Sequence, residues 1–160
     1  MSQDGQFPQP EFVNAQETPL VALAREFDPD SRADIPGLWA EFFGCGWVLP
    51  GDEEPACYGV SYNVRPDGRF SYAVGRNVDP LPEALPEGAC VVTLSPGRHA
   101  VFRARGGVQE IPALFDAIFG SWLPQSGETL REGAVFERYP FDEDSSPESM
   151  AYEIWVPVAG

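Results

Sequence analysis

The chain has 160 residues, 43% of them hydrophobic and 12% aromatic, which is enough apolar material for one domain with its own core and too much for a chain that stays unfolded. Its 25 acidic against 10 basic side chains give a formal charge of −15, which repels nucleic-acid phosphates and anionic lipid and draws cations over a Debye length. Cys45, Cys57 and Cys90 are odd in number and lack metal-ligand spacing, so they read as buried, reduced thiols, and neither a metal nor a cofactor is expected.

No apolar stretch approaches the roughly 20 residues that cross a bilayer, and residues 1–11 lack the basic start and apolar middle of a signal peptide. The expectation is a cytoplasmic protein with no membrane partner. Residues 1–11 are polar and read as a disordered lead-in, with a single domain over 12–160. From Phe12 to Phe27 the chain is extended, Leu20, Ala22 and Ala24 alternating with Val21, Leu23 and Arg25. Ile35, Leu38, Trp39, Phe42 and Phe43 then recur at the spacing of one buried helical face. Asp30, Ser31 and Asp34 are plausible caps, Pro36 fits a first turn, and Gly44 and Gly46 end the helix. Residues 56–64 and 70–78 are rich in β-formers and are joined by Arg65-Pro66-Asp67-Gly68-Arg69, which predicts a hairpin.

The second half runs in the same order. Residues 89–95 and 98–105 read as strands split by Pro96-Gly97. Ile111, Leu114, Phe115, Ile118, Phe119 and Trp122 form a helical stripe ending at Leu123-Pro124, and strands follow at 134–139 and 151–158 around the acidic loop 142–149. The strings IPGLWAEFFG at 35–44 and IPALFDAIFG at 111–120 share letters at equivalent places. This predicts a duplicated α+β fold: two strand-helix-strand-strand units, about 12–78 and 89–158, related by a pseudo-twofold. They would share one antiparallel sheet with two helices on one side and a central ligand cleft.

The usual catalytic constellations are missing. One histidine, His99, and scattered cysteines supply no triad, and His99 in a strand reads as structural. Neither a G-x-S-x-G elbow nor a phosphate loop is present. What stands out is the supply of aromatics, together with Glu137 in AVFERY. The period of two puts Val135, Glu137 and Tyr139 on one strand face and Phe136 and Arg138 on the other. A carboxylate there is solvated at an edge, pairs with an arginine across a strand, or, if its face lines the cleft, balances a bound cation or is kept partly protonated by burial. Glu153, which shares a face with Trp155 and Pro157, poses the same question: in the cleft or wet.

The ordered strings YGVSYNV, FSYAVGRNV, PGRHAVFRARG, IPALFDAIFGSWLPQSG, FERY and EIWVPV resemble the GyrI-like domain, the effector-binding domain of AraC-type and MerR-type multidrug regulators of bacteria. The resemblance spans about residues 11–158. It implies a ligand cleft between the two units, with Glu137 matching the family's cleft glutamate; these residues leave no room for the helix-turn-helix domain of the complete regulators, so a standalone domain is expected. The expected function is binding of a lipophilic, cationic, aromatic small molecule for sensing or sequestration. Glu137 would balance its charge, and some of Trp39, Tyr58, Tyr72, Trp122, Tyr152 and Trp155 would stack on it. Two alternatives stand beside it. One is a small-molecule hydrolase in which Glu137 activates water and Tyr152 or Tyr62 steadies the charge. The other is a protein partner, DNA gyrase or a separately encoded DNA-binding regulator, with no direct nucleic-acid contact.

Overall fold

The computed structural model describes residues 10–28, 30–45, 56–63, 65–78, 83–107, 110–131, 133–140 and 150–159; the expected lead-in before residue 10, the acidic loop 142–149 and the Cys45 and Phe43 side chains lie outside them. The strands are β1 (Glu11–Ala15), β2 (Thr18–Phe27), β3 (Ala56–Tyr62), β4 (Phe70–Asn77), β5 (Cys90–Leu94), β6 (Gly97–Gly106), β7 (Val135–Pro140) and β8 (Met150–Pro157). They form one antiparallel sheet in the order β1-β6-β8-β7-β3-β4-β2-β5.

That order carries the duplication. Exchanging β1 with β5, β2 with β6, β3 with β7 and β4 with β8 turns the sheet order into its own reverse. Each half also gives away its first strand, since β1 pairs with β6 and β5 pairs with β2. The links force the sheet to curl. β1 and β2 stand at opposite ends of the order and would lie about 29 Å apart in a flat sheet, yet only Gln16 and Glu17 join them, a span of about 11 Å at most. The result is a half-barrel.

Period-two alternation then sorts the side chains into two cores. Inside the curl, Leu20, Ala22, Val92 and Leu94 from one end of the sheet meet Tyr58, Val60, Ala73 and Phe136 from its centre. On the outer face lie α1 (Ile35–Cys45) and α2 (Ile111–Ala117). Helix α1 buries Leu38 and Phe42 against Leu23, Phe27, Tyr72 and Val74. Helix α2 sets Ile111, with Leu114 and Phe115, against Phe102, Tyr152, Ile154 and Val156. Full burial of each such side chain contributes about 1.5–3 kcal/mol. Both helices therefore lie on one side, as the repeat predicts.

Three local details differ from the sequence expectation. The strand pairing begins at Glu11, inside the expected lead-in, because Glu11 faces Val101 across the sheet. The turn before α1 is capped by Asp28 as well as Ser31: the Asp28 carboxylate accepts the Asp30 and Ser31 amides, and the Ser31 hydroxyl accepts the Asp28 amide. Pro124 does not stop the second helix. A π-helical turn (Ile118–Trp122) intervenes, the Leu123 amide reaching back to the Ile118 carbonyl, and α3 (Leu123–Ser126) follows with Pro124 in its first turn. A proline there needs no amide, and the wider turn removes the carbonyl its ring would strike. Gly127, at φ 79°, ends the rod in the left-handed region. Cys57 and Cys90 are half-buried rather than buried. Among the described residues no helix is long and apolar enough to cross a membrane.

Candidate functional site

β3 and β7 pair at the centre of the sheet, with Gly59 opposite Glu137. This is where the two halves meet, and it lies on the outer face between α1 and α2. Glu137 is 5% exposed. Its Oε1 accepts the hydroxyls of Tyr72 and Tyr139, each at 2.8 Å. The Trp39 indole N–H donates to the Tyr72 hydroxyl at 3.2 Å, and its ring stands edge-on against Tyr139 with centroids 5.1 Å apart. The Tyr152 ring lies 6.4 Å from that of Tyr139. Helix α1 thus lays an indole over a carboxyl that two tyrosines hold from the sides.

Burial dominates the electrostatics. Loss of water raises the Glu137 carboxyl to about 7, against the lowering pull of the Tyr139 and Tyr72 hydrogen bonds. Both phenols are held well above their usual range by burial and by the Glu137 charge beside them, so they remain donors. Among the described residues no arginine or histidine pairs with Glu137.

Gly59 makes this arrangement possible. A Cβ there would sit 2.1 Å from the Tyr72 Oη and 3.0 Å from Glu137 Oε1, so the bare backbone leaves the room in which the hydroxyl meets the carboxylate. Gly59 is not among the expected site residues, and Tyr139 is expected on the Glu137 face but not as a site residue. Tyr139's place beside Glu137 in the period-two pattern was the available signal for it; Gly59 left none.

The other expected site residues are distributed differently. Trp122 packs edge-on against Phe102 with centroids 4.9 Å apart, and near Phe12, beneath the second helix. Tyr58 and Trp155 belong to the inner face, where Phe136 stacks on Trp155 with centroids 5.3 Å apart and 17° between planes. Glu153 is also on that face and is neither in the Glu137 site nor wet. It is buried, and it accepts the Trp155 indole at 2.9 Å and pairs with Arg103 at 3.3 Å and Arg138 at 3.5 Å. The arginine of FERY thus serves Glu153 across the strand pair, not Glu137. His99 is 1% exposed on the inner face between Phe136 and Trp155, its Nδ1 against the Gly97 carbonyl at 2.9 Å. Burial lowers its basicity, which fits a structural histidine. Among the described residues no cluster of three or more histidines, cysteines or carboxylates could hold a metal.

Residues 8–159 match the GyrI-like small molecule binding domain family. The chain belongs to that family. Similar solved structures include SAV2435 bound to tetraphenylphosphonium, which is 21% identical with a TM-score of 0.76 over 95% of this chain and 94% of that one. The EcmrR C-terminal domain is 15% identical with a TM-score of 0.64 over 95% and 98%. A hydrolase from Listeria innocua is 15% identical with a TM-score of 0.56 over 99% and 98%. At these identities the likeness is one of fold. It is the GyrI-like half-barrel with two helices on its outer face, and Glu137 occupies the midline of that domain.

Proposed function

We propose that this GyrI-like domain captures a lipophilic aromatic cation over Glu137, between α1 and α2, for sensing or sequestration. The observation that supports this most directly is a buried carboxyl that, among the described residues, has two tyrosine donors and no cation beside it. Leaving such a group ionised and unpaired is expensive, and burial raises the carboxyl to about 7, so that near neutral pH a proton is shared between bound and released forms. A cation delivered into the site displaces the proton and supplies the missing charge. Trp39, Tyr72 and Tyr139 then present ring faces or edges to its aryl groups. A cation shrouded in aryl groups loses little hydration on entry, whereas a small hydrated ion loses much. The charge of −15 raises the local concentration of cations. A cytoplasmic location suits the role, since a negative-inside potential concentrates lipophilic cations there.

Calorimetric titration with tetraphenylphosphonium and with neutral triphenylphosphine oxide tests the reading. Glu137→Gln is expected to weaken the cation about 10–100-fold and to leave the neutral probe nearly unchanged. Equal loss for both probes refutes charge pairing. The hydrolase alternative draws on the same carboxyl, whose value of about 7 suits a general base. In that case Tyr72 and Tyr139, which touch Glu137, steady the charge in place of the expected Tyr152 or Tyr62. Turnover of a reactive electrophile that disappears in Glu137→Ala would favour it over simple binding.

A further inference from the structure

Tyr58 and Trp155, two aromatics that do not reach Glu137, wall a separate cavity. It lies inside the curl, holds about 290 Å³, and is also lined by Phe136, Arg138, Leu94 and Ala15. Its walls come from β1, β2, β3, β5, β7 and β8, so the cavity exists only because the sheet curls. Two of the rings are already aligned: Phe136 and Trp155 are nearly coplanar in stacking, and Tyr58 lies 6.0 Å from Phe136. Such a volume is at the lower end of the range for small-molecule pockets and suits a ligand of one or two fused rings.

The polar groups give it a sign. Arg138 lines the cavity, its Nε donating to the Tyr58 hydroxyl at 3.3 Å. It also pairs with Glu153 at 3.5 Å, and Glu153 is held in addition by the Trp155 indole at 2.9 Å and by Arg103 at 3.3 Å. Glu153 therefore keeps donors when the Arg138 guanidinium turns to an incoming anion. Glu137 and Arg138 are consecutive on β7 and so project to opposite faces of the sheet. One strand carries a negative charge to the outer face and a positive one to the inner.

We propose that the inner cavity is a second ligand site, selective for a small aromatic carboxylate, with Arg138 as counter-charge and Tyr58, Phe136 and Trp155 as walls. A carboxylate there accepts a forked pair of N–H bonds from the guanidinium, and its ring extends the stack of Phe136 and Trp155. The proposal goes beyond the outer-face site and does not depend on it.

The test uses 1-naphthoate, with 1-naphthylmethylammonium and 1-naphthalenemethanol as charge controls, followed by calorimetry and by the Trp155 indole N–H resonance. The expected result is saturable naphthoate binding that shifts the Trp155 resonance, weakened about tenfold or more by Arg138→Gln. Ala15→Phe, which fills the cavity and keeps the guanidinium, is expected to abolish it, and Glu137→Gln to leave it unchanged. Retained thermal midpoints establish that both cavity variants fold. No saturable naphthoate binding, equal binding of all three probes, binding that survives both cavity variants, or binding lost in Glu137→Gln overturns the proposal. None of these outcomes bears on tetraphenylphosphonium binding, which is read separately.

Discussion

Glu137 gathers its environment from three elements: its own strand supplies Tyr139, β4 supplies Tyr72, and α1 supplies Trp39. The chemistry has a signature in pH. The folded carboxyl sits at about 7 against an ordinary value of 4.5, so the folded state binds the proton more tightly than the unfolded state. The resulting stability is fully present below about pH 4.5 and is lost as pH rises through about 7. The shift corresponds to a loss of about 3 kcal/mol across that window. Denaturant unfolding of wild type and Glu137→Gln at several pH values reads it as a difference, in which other groups cancel. Wild type is expected to lose stability relative to Glu137→Gln between pH 4.5 and 7.5, and a pH-independent difference contradicts the buried carboxyl. The strand period of two set Glu137 on one face with Val135 and Tyr139 without telling which face of the sheet that is. It did not reveal that tyrosines rather than an arginine meet it, because Tyr72 is 65 residues away.

Strand β3 lies between β4 and β7, and Gly59 faces both Val74 and Glu137. Its missing side chain is a structural requirement of the neighbours rather than of its own backbone. In Gly59→Ala the new methyl falls on the Tyr72 hydroxyl, so the ring must move and its bond to Glu137 must break. A destabilisation of about 1–3 kcal/mol is expected, with weaker tetraphenylphosphonium binding. Adding Tyr72→Phe removes the clashing oxygen and should recover part of the stability. A double-mutant cycle that shows strict additivity would mean the contact is absent. At this scale the sequence was legible where pattern is local: the strands and both helices follow from alternation and from the three-and-four stripe. It misled at Pro124, because the π-helical turn that accommodates the proline is chosen by how Ile118 and Trp122 pack on the sheet, not by the residues of the turn alone.

Across the whole molecule the exchanged first strands decide cooperativity. Residues 10–78 carry β1, which pairs in the other half, and lack β5, which covers their own β2. The inner core likewise draws Leu20 and Tyr58 from one half and Leu94 and Phe136 from the other. Neither half buries that core alone, so fragments 10–78 and 83–159 are each expected to lack stable sheet by circular dichroism. Equimolar mixing should restore it, and a first half that folds unaided would refute this account.

The sequence by itself determined the elements, the duplication and which β7 neighbours share a strand face with Glu137, because these depend on periods of two and about 3.6 residues and on repeated strings, all of which are local. Only the tertiary structure decided which aromatics share that face with the carboxyl. Trp39, Tyr72 and Tyr139 come together there, whereas Tyr58 and Trp155 turn into the curl beside Arg138. The physical reason is that every central strand is buried on both faces. Apolar alternation is then silent about which face is which, and strand pairing between distant segments makes the choice.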